Sequence, residues 1–233
     1  ILSIFFSLVN LFFPKTCQAC GLILSDNEFQ ICISCRHELP LTNYHFENSE
    51  AIKKIFYGRV ELKEATALFY FYKGGKVQKL LHNLKYKGQE ELGLFFGKWL
   101  GAELVQCKSF SEVAVVIPVP THPRKLKQRG YNQVALFAQH LAISLNAKYE
   151  DSVLLKSTFT QTQVFQSREE RFQSVSNSFV AVNLHKIDHL HVLLVDDVIT
   201  TGATIEACAL VLKKATNLRL SLATIAITHS IFR

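Results

Sequence analysis

The sequence predicts an α/β fold in which a mostly parallel sheet is flanked by helices, with a small N-terminal appendage. Apolar runs of strand length alternate along the chain with amphipathic segments of helical period, the pattern of a parallel sheet joined by helical crossovers. The chain has 233 residues, of which 48% are hydrophobic and 19% charged. That composition predicts a folded core, and the length suits one large domain with a smaller unit.

Apolar runs mark the predicted strands. Residues 65–72 are rich in aromatic side chains and are followed by a pair of glycines. Residues 113–117 are continuously apolar, as expected for a strand buried on both faces, and they stop at Pro118. A last strand is predicted over residues 218–227.

Amphipathic segments mark the predicted helices. Their apolar residues recur at a spacing of three or four, which places them on one face of a helix. The predicted faces consist of Val77, Leu80, Leu81 and Leu84; Leu92, Phe95, Phe96 and Trp99; Val134, Phe137, Ala138, Leu141 and Leu145; and Ile205, Cys208, Leu212 and Ala215.

The most informative segment begins at His191. Its apolar strand leads into two adjacent carboxylates, Asp196 and Asp197, and a turn of threonines around Gly202 then precedes a helix. Carboxylates accept hydrogen bonds from sugar hydroxyls, and backbone N–H groups at a helix N-terminus bind phosphate. The segment therefore predicts a sugar-phosphate site, and the alternative is a strand-end aspartate followed by a capped helix.

A second strand end is basic. The stretch after Pro118 contains Arg124, Lys125, Lys127 and Arg129 before Gly130. Arginine binds a diphosphate with two parallel hydrogen bonds and lysine binds it as a point charge, although such a stretch can also be a solvated turn. Ligands of parallel sheets bind beyond the carboxyl ends of the strands, so we expect both strand ends to face one crevice.

Four of the six cysteines form two knuckles. They read Cys17-x2-Cys20-x11-Cys32-x2-Cys35. Paired CxxC knuckles favour a tetrahedral zinc ion, with disulfides as the alternative, and four thiolates leave no open position for catalysis. The spacing therefore predicts a structural Zn²⁺ in a zinc ribbon. Cys208 is predicted to lie in the core.

Residues 1–13 are apolar but have neither the basic start nor the cleavage site of a signal peptide. They are also shorter than the roughly 20 apolar residues that span a bilayer. We expect a helix that packs on the body of a cytoplasmic protein, with peripheral association with the inner membrane as the alternative and no transmembrane segment. Because the chain contains no methionine, we also expect the native start to be missing.

Together these features resemble the ComF family of phosphoribosyltransferase-like proteins, which is associated with competence for DNA uptake. The resemblance covers nearly the whole chain. It rests on the knuckles and the acid pair with its threonine turn, and on three further motifs: Leu84-Lys85-Tyr86-Lys87-Gly88, Ile117-Pro118-Val119-Pro120 and Arg129-Gly130-Tyr131-Asn132-Gln133. It implies an apolar helix plus zinc ribbon over residues 1–45 and a type I phosphoribosyltransferase domain over residues 46–233.

The resemblance implies that the ligand is phosphoribosyl pyrophosphate (PRPP), bound together with Mg²⁺. Asp196 and Asp197 are then expected to hold the ribose hydroxyls, and the 5′-phosphate is assigned to Thr200, Thr201, Gly202, Ala203 and Thr204. The loop after Pro120 corresponds to the pyrophosphate-binding loop. The candidates around the diphosphate are Thr121, His122, Arg124, Arg129, Gly130 and Lys85.

Residues 157–176 are polar and lack apolar periodicity, which predicts a long loop. The resemblance implies a flexible catalytic lid that brings Arg168 or Arg171 onto the diphosphate, and Arg171 joins the acid pair as a catalytic candidate. This chain departs from the family pattern at Ser174, where the family commonly has asparagine. The alternative is a surface loop without a catalytic role.

Three functions fit these features. The first is an enzyme that transfers a phosphoribosyl group from PRPP, with Mg²⁺, and releases pyrophosphate. The second is an accessory protein that binds single-stranded DNA and other DNA-uptake proteins, as a net charge of +7 and a zinc ribbon favour. The third is a non-catalytic regulator that responds to PRPP. The sequence assigns neither the acceptor nor the oligomeric state.

Overall fold

The computed structural model describes residues 14–47, 50–157 and 178–229. The apolar segment at residues 1–13 and most of the predicted lid, including Arg168 and Arg171, lie outside the described residues. Within the described part of the chain, no helix combines the length and apolar character needed to cross a membrane.

The strands of the described residues are β1 (Ala65–Phe71), β2 (Val115–Pro118), β3 (Lys148–Tyr149), β4 (Leu154–Lys156), β5 (Phe179–Ala181), β6 (His191–Ile199) and β7 (Arg219–Thr228). The central sheet has five parallel strands in the order β1-β7-β6-β2-β3, and β4 and β5 form a separate antiparallel pair. In the register of β2 with β6, Pro118 lies opposite Val195. The chain that follows β2 therefore starts beside the acid pair.

Helices cover both faces of the sheet, as predicted. They are α1 (Ile33–His37), α2 (Tyr44–Glu47), α3 (Glu50–Lys53), α4 (Lys76–Tyr86), α5 (Glu91–Leu104), α6 (Pro123–Arg129), α7 (Ala135–Ser144) and α8 (Ala203–Leu212), with 3-10 turns at Lys54–Phe56, Lys108–Phe110 and Leu184–Lys186. The predicted α/β class with a mostly parallel sheet is confirmed.

Two apolar cores, one on each face of the sheet, follow from the alternation of side chains along the strands. In β6, Leu193 and Val195 join the core formed with α4, α5 and α7. Val192 and Leu194 join the core that contains α8 and the β4–β5 pair. The alternation continues into Asp196 and Asp197, so their carboxylates lie on opposite faces.

Sequence and structure differ at the two strand ends. Strand β6 does not stop before the acids but continues through both of them to Ile199. The basic loop predicted after Pro120 is wrong, because residues 123–129 form helix α6. The helix starts with Pro123 and with the His122 ring accepting a hydrogen bond from the Arg124 N–H at 3.2 Å, and it ends at Gly130 with φ +88°. Its polar residues gave no apolar periodicity to detect.

Helices α5 and α7 approach each other closely because α5 presents a stripe of glycines. Gly93, Gly97 and Gly101 recur every four residues and therefore lie on one face. A Cβ at Gly97 would lie 2.8 Å from the carbonyl oxygen of Phe137 and 2.8 Å from the Cβ of His140. At Gly93 the nearest atom would be 3.3 Å away. Gly97 therefore helps set the separation of the two helices, together with Gly101, where a Cβ would lie 2.7 Å from the Cβ of Ser144.

We expect Gly97→Ala to lower the free energy of unfolding by about 1–3 kcal/mol, the usual cost of overpacking. The loss should occur although alanine is favoured over glycine by about 1 kcal/mol within a helix. Urea unfolding followed by circular dichroism measures this change. Gly93→Ala is the matched control and should cost less. A Gly97→Ala chain as stable as the unaltered one would show that the helices can separate freely.

Candidate functional site

A cleft of about 300 Å³ lies at the carboxyl ends of β2 and β6. It is bounded by the end of α4, the segment after β2, α6, and the β4–β5 pair. The structure therefore brings the two strand ends together in one crevice, as predicted. The predicted site residues that line it are Lys85, Thr121, His122, Arg129, Asp196, Asp197, Thr200 and Thr204.

Other predicted site residues lie beside the cleft without lining it. Arg124 is an exposed residue of the first turn of α6, and Gly130 ends that helix. Thr201, Gly202 and Ala203 form the turn into α8, between the two threonines that do line the cleft. Arg171 lies outside the described residues.

Asp197 is paired within the cleft wall. Only 5% of the residue is exposed, and its Oδ2 atom lies 2.9 Å from the Lys85 Nζ. The Gln133 Nε2 donates a second hydrogen bond to the same oxygen at 2.8 Å. A buried carboxylate needs both a counter-charge and hydrogen bonds, and Asp197 receives them from α4 and from the residues that precede α7.

Asp196 has a different environment on the opposite face of the strand. It is 7% exposed, and its Oδ1 accepts a hydrogen bond from the backbone N–H of Asp197 at 2.8 Å. Burial, followed by the negative charge of Asp197, raises the pKa of Asp196 well above its usual range, and Lys85 and Lys156 oppose this shift only in part.

Gln133 connects the acid pair to the basic helix. While its Nε2 donates to Asp197, its Oε1 accepts hydrogen bonds from the Arg129 guanidinium and, at 2.8 Å, from the Thr121 hydroxyl. Three of the predicted site residues are therefore joined through one amide that the sequence gave no role. Its position in the motif that begins at Arg129 was the available signal.

The two residues before Gln133 fix the surrounding walls. The Tyr131 hydroxyl donates to the carbonyl oxygen of Leu84, the neighbour of Lys85 in α4. The Asn132 Nδ2 donates to the carbonyl oxygen of Val119, just beyond β2, at 3.0 Å. The motif therefore ties α4 and the end of β2 to the start of α7.

The threonine turn is shaped by close packing. Gly202 has φ +82°, which favours glycine, and a Cβ there would lie 2.8 Å from the Phe56 ring. Glu206, one turn into α8, forms an ion pair with Arg59 at 2.8 Å. The 3-10 turn ending at Phe56 and the residues after it therefore support the turn from outside the cleft.

Lys156 and Lys125 also line the cleft, although neither was among the predicted site residues. The Lys156 Nζ lies 3.9 Å from the centre of the Phe179 ring, and burial lowers the pKa of this lysine. Lys156 is placed by the antiparallel pairing of β4 with β5, which left no periodic signal in the sequence. With Lys85 and Arg129, these residues give four cations against two carboxylates, a balance that suits a polyanionic ligand.

The four knuckle cysteines come together as predicted. The sulfur atoms of Cys17, Cys20, Cys32 and Cys35 all lie within 4.8 Å of one another, and those of Cys20 and Cys32 are 3.8 Å apart. Zinc–sulfur bonds of about 2.3 Å in a tetrahedron place sulfurs about 3.8 Å apart. Burial opposes ionisation of the Cys17 thiol, but hydrogen bonds from the backbone outweigh it and lower its pKa to about 6, whereas burial raises the pKa of Cys35 to about 12. This donor set fits a metal ion.

The cysteine unit is fastened to the helices beside it. The Asn83 Nδ2 on α4 donates to the carbonyl oxygen of Gln18 at 3.0 Å. The Gln30 Nε2 donates to Glu91 at the start of α5 at 2.8 Å, and the Arg36 guanidinium lies 4.5 Å from the centre of the Trp99 ring. The unit thus packs on α5 and on α4, whose last turn forms one wall of the cleft.

The family comparison matches the part of the chain that forms most of the sheet. Residues 134–230, which run from α7 beyond the end of β7, match the phosphoribosyl transferase domain family. The matched segment thus resembles a phosphoribosyl transferase domain, and the four-cysteine unit lies on its N-terminal side.

The chain is also similar to two curated proteins. It is 28% identical to DNA utilization protein YhgH from Escherichia coli O157:H7 over 211 residues, which cover 84% of this chain and 89% of that protein. It is 36% identical to competence protein F from Haemophilus influenzae over 100 residues, or 42% of this chain and less than half, 44%, of that protein. The resemblance to ComF-type proteins is confirmed.

Among solved structures, the chain is similar to glutamine PRPP amidotransferase from B. subtilis complexed with ADP and GMP. The identity is 22%, the match covers 60% of this chain and 30% of that chain, and the TM-score is 0.41.

We expect Asp196→Asn to stabilise the ligand-free protein, because the amide cannot carry the buried charge. Above the unfolded pKa of about 3.9, the unfolded chain loses the Asp196 proton while the folded chain keeps it, so the unaltered protein loses stability as pH rises towards the raised pKa. The Asp196→Asn variant has no proton to lose at this position, so its stability does not fall in this way as the pH rises. Its melting temperature should exceed that of the unaltered chain by roughly 2–8 °C at pH 8, corresponding to about 1–2 kcal/mol, and by less at pH 5. A difference that is constant or reversed across this range would contradict the assignment.

Proposed function

We propose that the cleft binds PRPP and that the protein transfers its phosphoribosyl group to an acceptor, releasing pyrophosphate. The observation that carries the proposal is the joining of a buried strand-end carboxylate, Asp197, to the basic wall at Arg129 through Gln133. A sugar flanked by two phosphate groups needs acceptors for its hydroxyls in the middle and cationic or N–H donors at both ends. The cleft offers this order of groups.

The ribose is assigned to the acid pair. Both described partners of Asp197 bind its Oδ2, so within the described residues its Oδ1 is available to accept a ribose hydroxyl. Asp196 uses Oδ1 to accept the Asp197 N–H, and its Oδ2 is the atom proposed to meet the second hydroxyl. Two adjacent hydroxyls would then be held by one oxygen atom from each of the two carboxyl groups.

The 5′-phosphate is assigned to the turn Thr200-Thr201-Gly202-Ala203-Thr204 at the start of α8. Thr200 and Thr204 line the cleft, and the first backbone N–H groups of the helix supply donors where the helix dipole is positive. The packing of Phe56 against Gly202 keeps this turn in place.

The diphosphate is assigned to the basic side of the cleft. Arg129 offers a planar guanidinium for two parallel hydrogen bonds, while Lys85, Lys125 and His122 also line this side. We extend the proposal to Arg124 and Gly130 at the two ends of α6, to Thr121 beside Gln133, and to Arg171 as a lid residue. Mg²⁺ bound with PRPP would offset part of the diphosphate charge.

In the proposed reaction, the bond between ribose C1 and the diphosphate oxygen breaks, and its electron pair leaves with pyrophosphate. A lone pair of the acceptor forms the new bond to C1. Positive charge builds on the ribose as the bond breaks, so the protein contributes by positioning PRPP and stabilising charge: Asp196 and Asp197 lie beside the ribose and Arg129 beside the leaving group.

Calorimetric titration with PRPP and Mg²⁺ tests the site. We expect the unaltered protein to bind and Asp197→Ala to bind at least about tenfold more weakly, because the ribose loses a charged acceptor and Lys85 loses its partner. Asp26→Ala, an exposed aspartate of the cysteine unit, is the control and should bind normally. Unchanged binding by Asp197→Ala would refute the site.

Further arms of this experiment separate the functions. Pyrophosphate release in the presence of an acceptor supports the enzyme, whereas binding without release supports a PRPP-responsive regulator.

The names of the relatives, DNA utilization protein and competence protein, support a role in the use of DNA. Binding of a single-stranded oligonucleotide that weakens steeply with salt would favour the DNA-binding alternative, and salt-insensitive or absent binding would count against it.

We also propose that the four-cysteine cluster holds a structural Zn²⁺ and that the N-terminal module ends near residue 45, with residues 46–233 forming the transferase module. The cluster of four sulfurs and the hydrogen bond from the Cys32 N–H to the Cys17 sulfur at 3.3 Å support tetrahedral thiolate binding. With four protein ligands, the ion would have no open position, so its role would be to fix the unit against α4 and α5.

Elemental analysis of purified protein tests the zinc proposal. We expect about one zinc per chain, and Cys20→Ser should lower both the zinc content and the melting temperature, because a tetrahedral site loses one of its four ligands. Cys107→Ser, at a buried cysteine outside the cluster, should retain the zinc. Full zinc content in Cys20→Ser would remove that cysteine from the ligand set.

A further inference from the structure

We propose that Gln133 is a positioning residue that sets Asp197 and Arg129 at the same time, and this inference rests on the proposed PRPP site. Gln133 is partly buried between the ribose side and the diphosphate side of the cleft. It would act on PRPP through the two residues that it holds.

The direction of the amide follows from its partners. A guanidinium donates hydrogen bonds and accepts none, so the atom facing Arg129 must be the oxygen, Oε1. An ionised carboxylate accepts and does not donate, so the atom facing Asp197 must be the nitrogen, Nε2. A side chain of this length must therefore be a donor at one atom and an acceptor at the other, which glutamine is and an ionised glutamate is not.

The hydrogen bond from Gln133 to Asp197 also affects Lys85. Asp197 Oδ2 receives Lys85 at 2.9 Å and Gln133 at 2.8 Å. If Gln133 were absent, Lys85 would remain as the sole described side-chain partner of Asp197, and Arg129 would lose its carbonyl acceptor. The carboxylate could then follow the flexible lysine, and the guanidinium could leave the diphosphate side.

The structural alternative is that Gln133 merely supports the first turn of α7. That task is already performed by its neighbour, since the Asn132 Oδ1 accepts a hydrogen bond from the Val134 N–H at 3.3 Å and the Asn132 Nδ2 reaches Val119. The side chain of Gln133 makes its described hydrogen bonds to the cleft residues Asp197, Arg129 and Thr121. Its contacts therefore match the cleft and not the helix start.

Two substitutions separate these roles. Gln133→Met keeps the length and removes all three hydrogen bonds, whereas Gln133→Glu keeps the acceptor and replaces the donor with a charge facing Asp197. The matched controls are Gln106→Met and Gln106→Glu, at an exposed glutamine outside the cleft that bonds the Ala102 carbonyl. PRPP affinity with Mg²⁺ is measured by calorimetry between pH 5.5 and 8, as a ratio to the unaltered chain at each pH, together with the melting temperature.

We expect both Gln133 variants to bind PRPP roughly tenfold more weakly at pH 8, while the Gln106 variants bind normally. As the pH falls, the affinity ratio of Gln133→Glu should recover, because the introduced carboxyl becomes protonated beside Asp197 and can then donate to it while accepting from Arg129. The ratio of Gln133→Met should not recover. A purely structural role would not produce this difference in pH dependence.

Unaltered binding by both Gln133 variants would overturn the inference while leaving the proposed PRPP site intact. Equal losses in both variants at every pH, accompanied by a lower melting temperature, would assign Gln133 a structural role and overturn it as well. If the unaltered chain bound no PRPP, the proposed function would fail first, and this inference would fail with it.

Discussion

Two adjacent carboxylates buried at the end of the central strand are the constraint on which the site depends. Removing a charge from water costs several kcal/mol unless partners compensate, and Asp196 and Asp197 are 7% and 5% exposed. The compensation for Asp197 comes from distant parts of the chain, with Lys85 from the last turn of α4 and Gln133 from just before α7. Lys85 and Gln133 therefore make a charge in this strand tolerable, and Lys85 is also among the groups proposed to bind PRPP.

The alternation of a β-strand gives the two acids different properties although they are neighbours in sequence. Asp197 faces the α4 and α7 side and meets a cation and an amide, whereas Asp196 faces the α8 side and has its pKa raised by burial and by its neighbour. A protonated carboxyl can donate to a hydroxyl and an ionised one can only accept. The two carboxyl groups of one strand thus meet different surroundings on the two faces of the sheet.

The sequence predicted what depends on periodicity and missed what depends on pairing in space. The strand at Val115–Pro118 and the helix with Leu80 and Leu84 carry one-sided or continuous apolar patterns, so the α/β class followed from them. Helix α6 has no buried residue and was taken for a loop, although Pro123 and Gly130 mark its ends. Lys156 reaches the cleft only because β4 pairs with β5, and Gln133 gains its role only because α7 starts opposite Asp197. Neither contact leaves a pattern in the neighbouring residues, so neither could be predicted from the sequence.

The packing of α5 explains how Lys85 and Gln133, which are far apart in the sequence, can both contact the Oδ2 atom of Asp197. Helix α5 packs against α4, which carries Lys85, and against α7, which follows Gln133. The contact at Gly97, where even a Cβ would meet the Phe137 carbonyl at 2.8 Å, leaves no room for α7 to move towards α5. A shift of α7 away from α5 would weaken the Gln133 contact before the Lys85 contact, because a lysine side chain can follow a displaced carboxylate and an amide held by Arg129 and Thr121 cannot. Asp197 would then be paired by Lys85 alone, a cation that is also proposed to bind the diphosphate.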